Sequence, residues 1–183
     1  MPTRYLTVVV KDGCNTIAQY GHFDGYPSAK GKEILEVLKK DTTQRIATQL
    51  HRCIPLTEAE YRSFFTNYFL NEEALTEAHP DFFWGDGADL LKQMYETDKR
   101  FTVHLDYDFA YDSIQCEWAY LVDYDKQVFE IYKGWNRKSL APAERFYYNG
   151  YKKDEFYPVR MVAQYPMNAL PELEEMEDER WMR

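Results

Sequence analysis

The sequence contains few cysteines, and their positions exclude several classes of protein. Among 183 residues there are three, Cys14, Cys53 and Cys116. An odd number of widely spaced cysteines does not make a disulfide framework, and no two of them have the spacing of a zinc knuckle. We therefore expect a protein of a reducing compartment that holds neither a metal ion nor another cofactor.

Positive charge is also scarce. Lys and Arg total 22 against 31 Asp and Glu, which gives a formal net charge of −9. General nucleic-acid binding depends on basic patches that displace counterions from phosphates, and anionic membranes attract basic segments in a similar way. The composition therefore predicts no direct nucleic-acid partner and no membrane partner. It permits a basic protein partner, because opposite charges steer two proteins together.

Long apolar runs are missing as well. A membrane-spanning helix needs about 20 consecutive apolar residues, and the first residues lead into a short strand pattern instead of the apolar centre of a signal peptide. These features predict a cytoplasmic protein. The length of 183 residues fits one domain, which we expect over residues 1–170, followed by an acidic tail over residues 171–183.

Strand patterns are present in both halves of the chain. A β-branched run over residues 5–10 ends at Asp12-Gly13, a pair typical of a two-residue hairpin turn because glycine accepts a positive φ. Alternating apolar and polar residues over 101–108 predict a half-buried strand. A second hairpin is indicated on either side of residues 124–126. Tyr accounts for 16 residues and suits half-buried positions in such strands.

Helical patterns lie between these strands. Apolar residues recur at helical spacing after Ser28, which we take as the N-cap of the first helix, and again further along. Thr57 and Glu60 form a capping box, so we expect another helix to continue through residues 61–68. A further helix is predicted over 88–95. The sequence thus predicts an α+β fold, with an antiparallel, Tyr-rich sheet and about four helices inserted after an N-terminal hairpin.

The most unusual segment joins the first hairpin to the first helix. Residues 19–32 are dense in aromatic, acidic and glycine residues, a mixture that core packing alone does not require. The N-terminus of a helix carries partial positive charge and unpaired amide groups, which attract anions. We therefore predict a site for an anionic ligand, formed by six residues of this loop: Tyr20, Asp24, Tyr26, Ser28, Lys30 and Lys32. The alternative is that both lysines point to solvent and that Ser28 only caps the helix.

Two histidine–aspartate pairs indicate a different chemistry. His22 and Asp24 have the spacing of neighbours on one face of a strand, and so have His104 and Asp106. Together the two pairs could form an oxygen-rich metal site, or a histidine beside a carboxylate could act as a general acid and base in hydrolysis. The alternative is a solvated strand face, which the period-two pattern around His104 already predicts.

Part of this loop resembles a known group of proteins. The segment Asp24-Gly25-Tyr26-Pro27-Ser28 is similar to a loop in a family of uncharacterised bacterial and bacteriophage proteins, in which it also leads from an N-terminal strand pair into a helix. Residues 116–134 resemble the second hairpin of that family. The resemblance implies a shared fold and a bacterial or phage origin. It implies no catalytic residues, because the family has no established activity.

These observations favour a non-catalytic binding protein, such as a phage accessory or anti-defence protein. It would capture either an anionic ligand at residues 24–32 or a basic protein partner on its acidic surface. The alternative is a hydrolase of a nucleotide or phosphoester that uses His22, Asp24, His104 and Asp106. An enzyme should bring these four side chains into one cleft, whereas a binding protein should present a continuous acidic or aromatic surface.

Overall fold

The computed structural model describes residues 3–178 and residue 181. The main sheet consists of β1 (Tyr5–Lys11), β2 (Cys14–Gly21), β7 (Trp118–Asp123), β8 (Val128–Lys133) and β9 (Arg160–Pro166), in the order β2–β1–β7–β8–β9. Two smaller sheets pair β3 (Cys53–Pro55) with β6 (Phe101–Val103), which run parallel, and β4 (Phe65–Thr66) with β5 (Phe69–Leu70), which run antiparallel.

Within the described residues, five α-helices are inserted between β2 and β7. They are α1 (Lys32–Lys40), α2 (Arg45–Gln49), α3 (Glu58–Ser63), α4 (Glu72–Ala78) and α5 (Gly87–Glu96). Short helical turns occupy Pro27–Gly31, Leu50–Arg52, Tyr107–Tyr111, Met167–Ala169 and Leu173–Glu177. The α+β class and the insertion of helices after an N-terminal hairpin are therefore confirmed.

The N-terminal hairpin turns where the sequence predicts it. Asp12 and Gly13 both have positive φ, 53° and 71°, which is the backbone of the tight turn that suits twisted strands. The Asp125 carboxylate accepts hydrogen bonds from both of their amide groups at 2.8 Å. Since Asp125 lies in the turn between β7 and β8, each of the two predicted hairpins helps to fix the other.

The sheet is mixed, so the prediction of an antiparallel sheet is wrong at its centre. β1 pairs with β2 antiparallel but with β7 in parallel, with Tyr5 opposite both Gly21 and Trp118. The reason is the course of the chain. β2 returns to the edge at which β1 begins, and after the helical insertion β7 starts from that same edge and runs alongside β1. The remaining pairs, β7 with β8 and β8 with β9, are antiparallel.

Both faces of the main sheet are covered. One core cluster joins Tyr5, Val9, Tyr120 and other side chains of that face to the apolar faces of α1 and α5. The other joins Leu6, Val8 and their neighbours to side chains from residues 105–116 and 140–159. Every residue of β7 is buried, which is typical of a strand enclosed on both faces.

Two predicted elements end early. The helix expected through residues 61–68 stops at Ser63, because Asn67 and Tyr68 adopt positive φ and turn the chain into the small hairpin of β4 and β5. The strand expected over 101–108 stops at Val103. Residues 107–111 form a helical turn instead, and the Asp106 amide donates to the Ala18 carbonyl of β2 at 2.7 Å.

The described part of the predicted acidic tail packs against α1. Met176 is fully buried in the main core. The tail carboxylates Glu172 and Glu177 form ion pairs with Lys39 and Lys32 of α1. The rest of the predicted tail, residues 179–180 and 182–183, lies outside the described residues.

Candidate functional site

The loop of residues 19–32, which we call the glycine loop, begins α1 in an unexpected way. Tyr26, not Ser28, is the N-cap residue, and Pro27 takes the first position of a wide helical turn that runs into α1. No side chain caps this helix start. Proline is well suited to the first helical position, because its missing N–H would have had no partner there. The predicted role of Ser28 as the N-cap is therefore wrong.

Packing against Tyr5 and Tyr120 explains the glycines of this loop. A Cβ atom on Gly21 would lie 2.1 Å from the Tyr5 ring, and one on Gly25 would lie 2.8 Å from the Tyr5 Cβ. A Cβ on Gly31 would lie 2.8 Å from the Tyr120 ring. The Tyr120 hydroxyl also donates to the Gly25 carbonyl at 2.8 Å. Core packing therefore requires the three glycines of this loop, which the sequence-based interpretation did not foresee.

Carboxylates already neutralise the two lysines of the glycine loop. The Lys30 ammonium lies 2.8 Å from Glu33 and 3.1 Å from Asp86. Burial alone lowers the pKa of Lys30, but the two carboxylates outweigh it and raise that pKa above its usual value. Lys32 forms an ion pair with Glu177, which raises its pKa as well. An incoming anion would have to compete with these carboxylates.

The other predicted ligand residues are separated from one another. The Tyr20 hydroxyl lies 2.5 Å from Nδ1 of His22, and the Tyr20 ring packs edge-on against Phe109 with centroids 5.0 Å apart. Tyr26 and Ser28 instead line a cavity of about 230 Å³ whose other walls include Trp118, Trp135 and Trp181. Asp24 has a positive φ of 56°, and its carbonyl accepts a hydrogen bond from the Lys30 amide at 3.1 Å.

His104 is the most strongly constrained of the predicted catalytic residues. Its two ring nitrogens each lie 3.0 Å from a carboxylate oxygen, one on Glu58 and one on Asp106. Burial lowers the pKa of His104, but the hydrogen bonds to these carboxylates have the larger combined effect and raise it. The ring also stacks on Tyr61 with centroids 3.7 Å apart. Hydrogen bonds from both nitrogens are those of a protonated imidazole that holds α3 against β6.

The two predicted histidine–aspartate pairs make no direct contact with each other in the described chain. Within residues 3–178 and 181, no hydrogen bond or ion pair joins His22 or Asp24 to His104 or Asp106. The same residues contain no cluster of three or more potential metal ligands. Asp106 does lie near the His22 side of the sheet, because burial and the Asp106 charge both raise the pKa of Tyr20, whose hydroxyl contacts His22.

The most exposed aromatic surface lies elsewhere, on residues 57–79, which we call the aromatic arm. The arm consists of α3, the small β4–β5 hairpin and α4, and only Leu75 among its residues is fully buried. Three aromatic side chains at the hairpin are exposed, namely Phe65, Tyr68 and Phe69. The exposed fractions of Tyr68 and Phe69 are 99% and 78%. Such a group of exposed aromatic side chains is typical of an interaction surface.

Local sequence signals build this arm with little help from the core. Thr57 and Glu60 form the predicted capping box at the start of α3. The Asn71 side chain caps α4 by accepting from the Ala74 amide at 3.1 Å. The Asn71 amide donates to the Phe64 carbonyl at 2.7 Å and so closes the hairpin. These contacts are polar and local, and of the exposed aromatic side chains only Phe65 packs on another ring of the arm, that of Tyr61, which leaves Tyr68 and Phe69 available at the tip.

The turn at the tip of the arm places a tyrosine in an unfavourable backbone conformation. Asn67 and Tyr68 have φ values of 48° and 68°. Asparagine tolerates this left-handed region, but for a bulky residue it is an outlier, and two-residue turns of this kind usually have glycine at the second position. Because the Tyr68 side chain is almost wholly exposed, no packing in the described chain compensates for this cost.

The arm is also strongly acidic. Residues 57–79 contain five glutamates and one arginine. Glu58 contacts both His104 and Arg62, which lower its pKa. On α4, Glu72, Glu73 and Glu77 line an open groove together with Thr76 and Trp84.

Comparisons of the sequence with protein-family models, curated proteins and solved structures found no match. No helix within the described residues has the length and apolar character needed to cross a membrane. The sequence-based interpretation continued the helix that begins after Thr57 through residue 68, across the turn at the tip of the arm, and so missed this surface. Asn67, a turn-forming residue inside an otherwise helical pattern, is the signal that could have revealed it.

Proposed function

We propose that this protein is a non-catalytic binding protein that captures a basic protein partner through the aromatic arm. The observation that carries the proposal is Tyr68, a fully exposed tyrosine at a position where the backbone favours glycine. Backbone strain of this kind is found at functional sites, where a specific side chain is needed despite its cost. Large aromatic side chains such as Tyr and Phe are also common anchors of protein interfaces.

The charge of the arm supports a basic partner. The arm that carries the exposed aromatic residues contains five glutamates and one arginine, and the whole chain carries a formal charge of −9. Complementary charge accelerates association and discriminates against wrong partners, while a central aromatic group supplies most of the affinity. The arm combines both features, with Tyr68 and Phe69 at the tip and the carboxylates beside them.

The anionic-ligand version of this function and the hydrolase alternative have weaker support. Lys30 and Lys32, which would attract the anion, already contact carboxylates. No hydrogen bond or ion pair joins the two histidine–aspartate pairs within the described residues. The resemblance of the glycine loop to bacterial and phage proteins supports a partner in the bacterial cell, as expected of a phage accessory or anti-defence protein.

Site-specific photo-crosslinking in bacterial cells tests the proposal. A benzophenone amino acid replaces Phe69, which keeps an aromatic ring at the tip and leaves Tyr68 unchanged. We expect one dominant crosslinked product, whose partner, identified by mass spectrometry, carries net positive charge at neutral pH. Adding Tyr68→Gly to the same chain should abolish the product, because glycine keeps the turn but removes the anchor.

The matched control places the crosslinker at Tyr148, another exposed tyrosine (54%) outside the arm. It should yield no such product. The proposal is wrong if position 148 gives the same crosslinked protein, or if the product at position 69 persists undiminished with Tyr68→Gly.

A further inference from the structure

The groove beside α4 has an aromatic wall. Trp84 lines it and keeps 47% of its surface exposed. The indole packs edge-on against Phe82, with ring centroids 4.7 Å apart. The backbone around it is held by the Phe83 amide, which donates to the Thr102 carbonyl of β6 at 2.8 Å. The tryptophan is therefore fixed to the body of the protein while much of its ring remains accessible.

The opposite wall consists of carboxylates without counter-ions. Glu72, Glu73 and Glu77 are exposed on α4, and no ion pair joins any of them to another described residue. Glu73 and Glu77 are four positions apart on the helix, so their side chains are neighbours and their like charges repel. A cation placed between them would remove this repulsion.

We infer that this groove receives a lysine or arginine side chain of the partner, with the cation against the Trp84 ring and between the α4 carboxylates. The inference rests on the proposed function and adds the chemistry of the contact. Tryptophan is the aromatic residue with the most favourable cation–π interaction, and nearby carboxylates strengthen it. The groove is open to solvent along its length, so a side chain can enter it while the rest of an extended segment stays outside.

The groove and the tip of the arm lie on consecutive elements, since β5 ends at Leu70 and α4 begins at Glu72. A partner segment that contacts Tyr68 and Phe69 is therefore positioned to continue along α4. In this arrangement the aromatic tip supplies apolar contact and the groove selects positive charge.

Binding of hexaarginine and hexalysine to the full chain tests the inference directly. Tryptophan fluorescence and isothermal titration calorimetry at low ionic strength should show saturable binding of these peptides, and hexaglutamine should not bind. Glu73→Gln with Glu77→Gln should weaken the peptide affinity by about tenfold, a size expected for two ion pairs. Trp84→Phe should weaken it severalfold and remove the fluorescence change, because phenylalanine is the poorer cation–π partner.

Two control variants match these changes in charge and in size. Glu96→Gln with Glu155→Gln removes the same charge from exposed carboxylates outside the groove. Trp135→Phe alters another half-exposed tryptophan, whose exposed fraction is 54%. Both controls should leave the affinity within about twofold of the unmodified chain, because screened surface charges act weakly at a distance. Circular dichroism and thermal unfolding should show that all the variants fold.

The outcomes separate this inference from the proposed function. Equal loss of affinity in the groove and control variants would mean diffuse attraction to an acidic protein and would overturn the inference. Failure of both peptides to bind would overturn it too. If crosslinking at position 69 still depends on Tyr68 in those cases, the binding function stands and only the groove assignment fails.

Discussion

The glycine loop and the aromatic arm are both rich in aromatic residues, but the structure uses the two segments in opposite ways. The loop combines tyrosines, glycines and charged residues, and the structure uses its glycines to enclose the Tyr5 ring and pairs both of its lysines. The arm has a comparable aromatic content and more acidic residues, yet its aromatic tip is exposed, and four of its five glutamates have no ion-pair partner among the described residues. An unusual composition therefore marks either packing or binding, and only the three-dimensional neighbours distinguish the two.

Adding one methyl group to the glycine loop should produce the largest change in the free energy of unfolding. In Gly21→Ala the new Cβ would lie 2.1 Å from the Tyr5 ring, which is buried in the core and cannot move aside easily. We expect a loss of about 3 kcal/mol in the free energy of unfolding, as for other overpacked cores. Urea unfolding measures this quantity.

Gly150→Ala is the matched control for that measurement. Gly150 has a positive φ of 72°, but no heavy atom lies within 4 Å of the position that an added Cβ would take. Only backbone strain of about 1 kcal/mol is therefore expected. Equal losses in the two variants would show that the packing around Tyr5 is not what requires the glycines of the loop.

The fold was predictable from the sequence where local signals determine it. Asp12 and Gly13 specify a turn, and Thr57 and Glu60 specify a helix start, whatever the rest of the chain does. The parallel pairing of β1 with β7 was not predictable in this way, because it joins Tyr5 to Trp118 across more than half of the chain. Such long-range pairing depends on where the inserted helices return the chain, and no local motif records that.

Removing the ion pairs of Lys30 should produce the next largest change in the free energy of unfolding. Lys30→Gln leaves Glu33 and the partly buried Asp86 without their cation, so we expect a loss of about 2 kcal/mol in unfolding free energy. Lys32→Gln is the control, because Lys32 lies at the surface and its ion pair is screened by solvent; it should change stability little. If Lys30→Gln is as stable as Lys32→Gln, the Lys30 ammonium is available for another ligand and the anionic-site prediction regains support.

His104 should make the stability of the arm depend on pH. Its pKa is raised in the folded state above the ordinary value of 6.5, so the folded protein binds this proton more tightly than the unfolded chain does. The resulting stabilisation is complete below pH 6.5 and is lost as the pH rises through the folded-state pKa. His104→Gln should therefore destabilise the protein by about 1 kcal/mol at the lower pH, the net value of a typical intramolecular hydrogen bond, and by less as the pH rises.

Thermal unfolding of both proteins between about pH 5.5 and 8.5, above the range in which carboxylates titrate, measures this difference. His22→Gln is a suitable control because His22 has no carboxylate contact in the described chain. A stability difference for His104→Gln that stays constant, or grows with pH, would contradict a role for the protonated ring.

The candidate site was harder to predict than the fold. The glycine loop was predicted to be a binding site because the residues that explain its glycines, Tyr5 and Tyr120, lie outside it in the sequence. The arm was not predicted to be an interaction surface. Its aromatic residues at 61, 64, 65 and 68 have helical spacing, which normally indicates a buried helix face. Here that face is not buried, and the turn at Asn67 and Tyr68 interrupts it.

The smallest effect on the free energy of unfolding is expected at Tyr68. This position also gives the clearest test of whether the loop serves packing and the arm serves binding. In Tyr68→Gly the strain of a positive φ disappears, while the unfolded chain gains freedom, so the two contributions partly cancel. We expect a net gain of about 0.5 kcal/mol in unfolding free energy, together with loss of the partner crosslink. Gly21→Ala should do the reverse, reducing stability while leaving the crosslink in whatever fraction of the protein remains folded. If Tyr68→Gly instead destabilises the protein, the tyrosine supports the fold, and its exposed position would no longer argue for a partner.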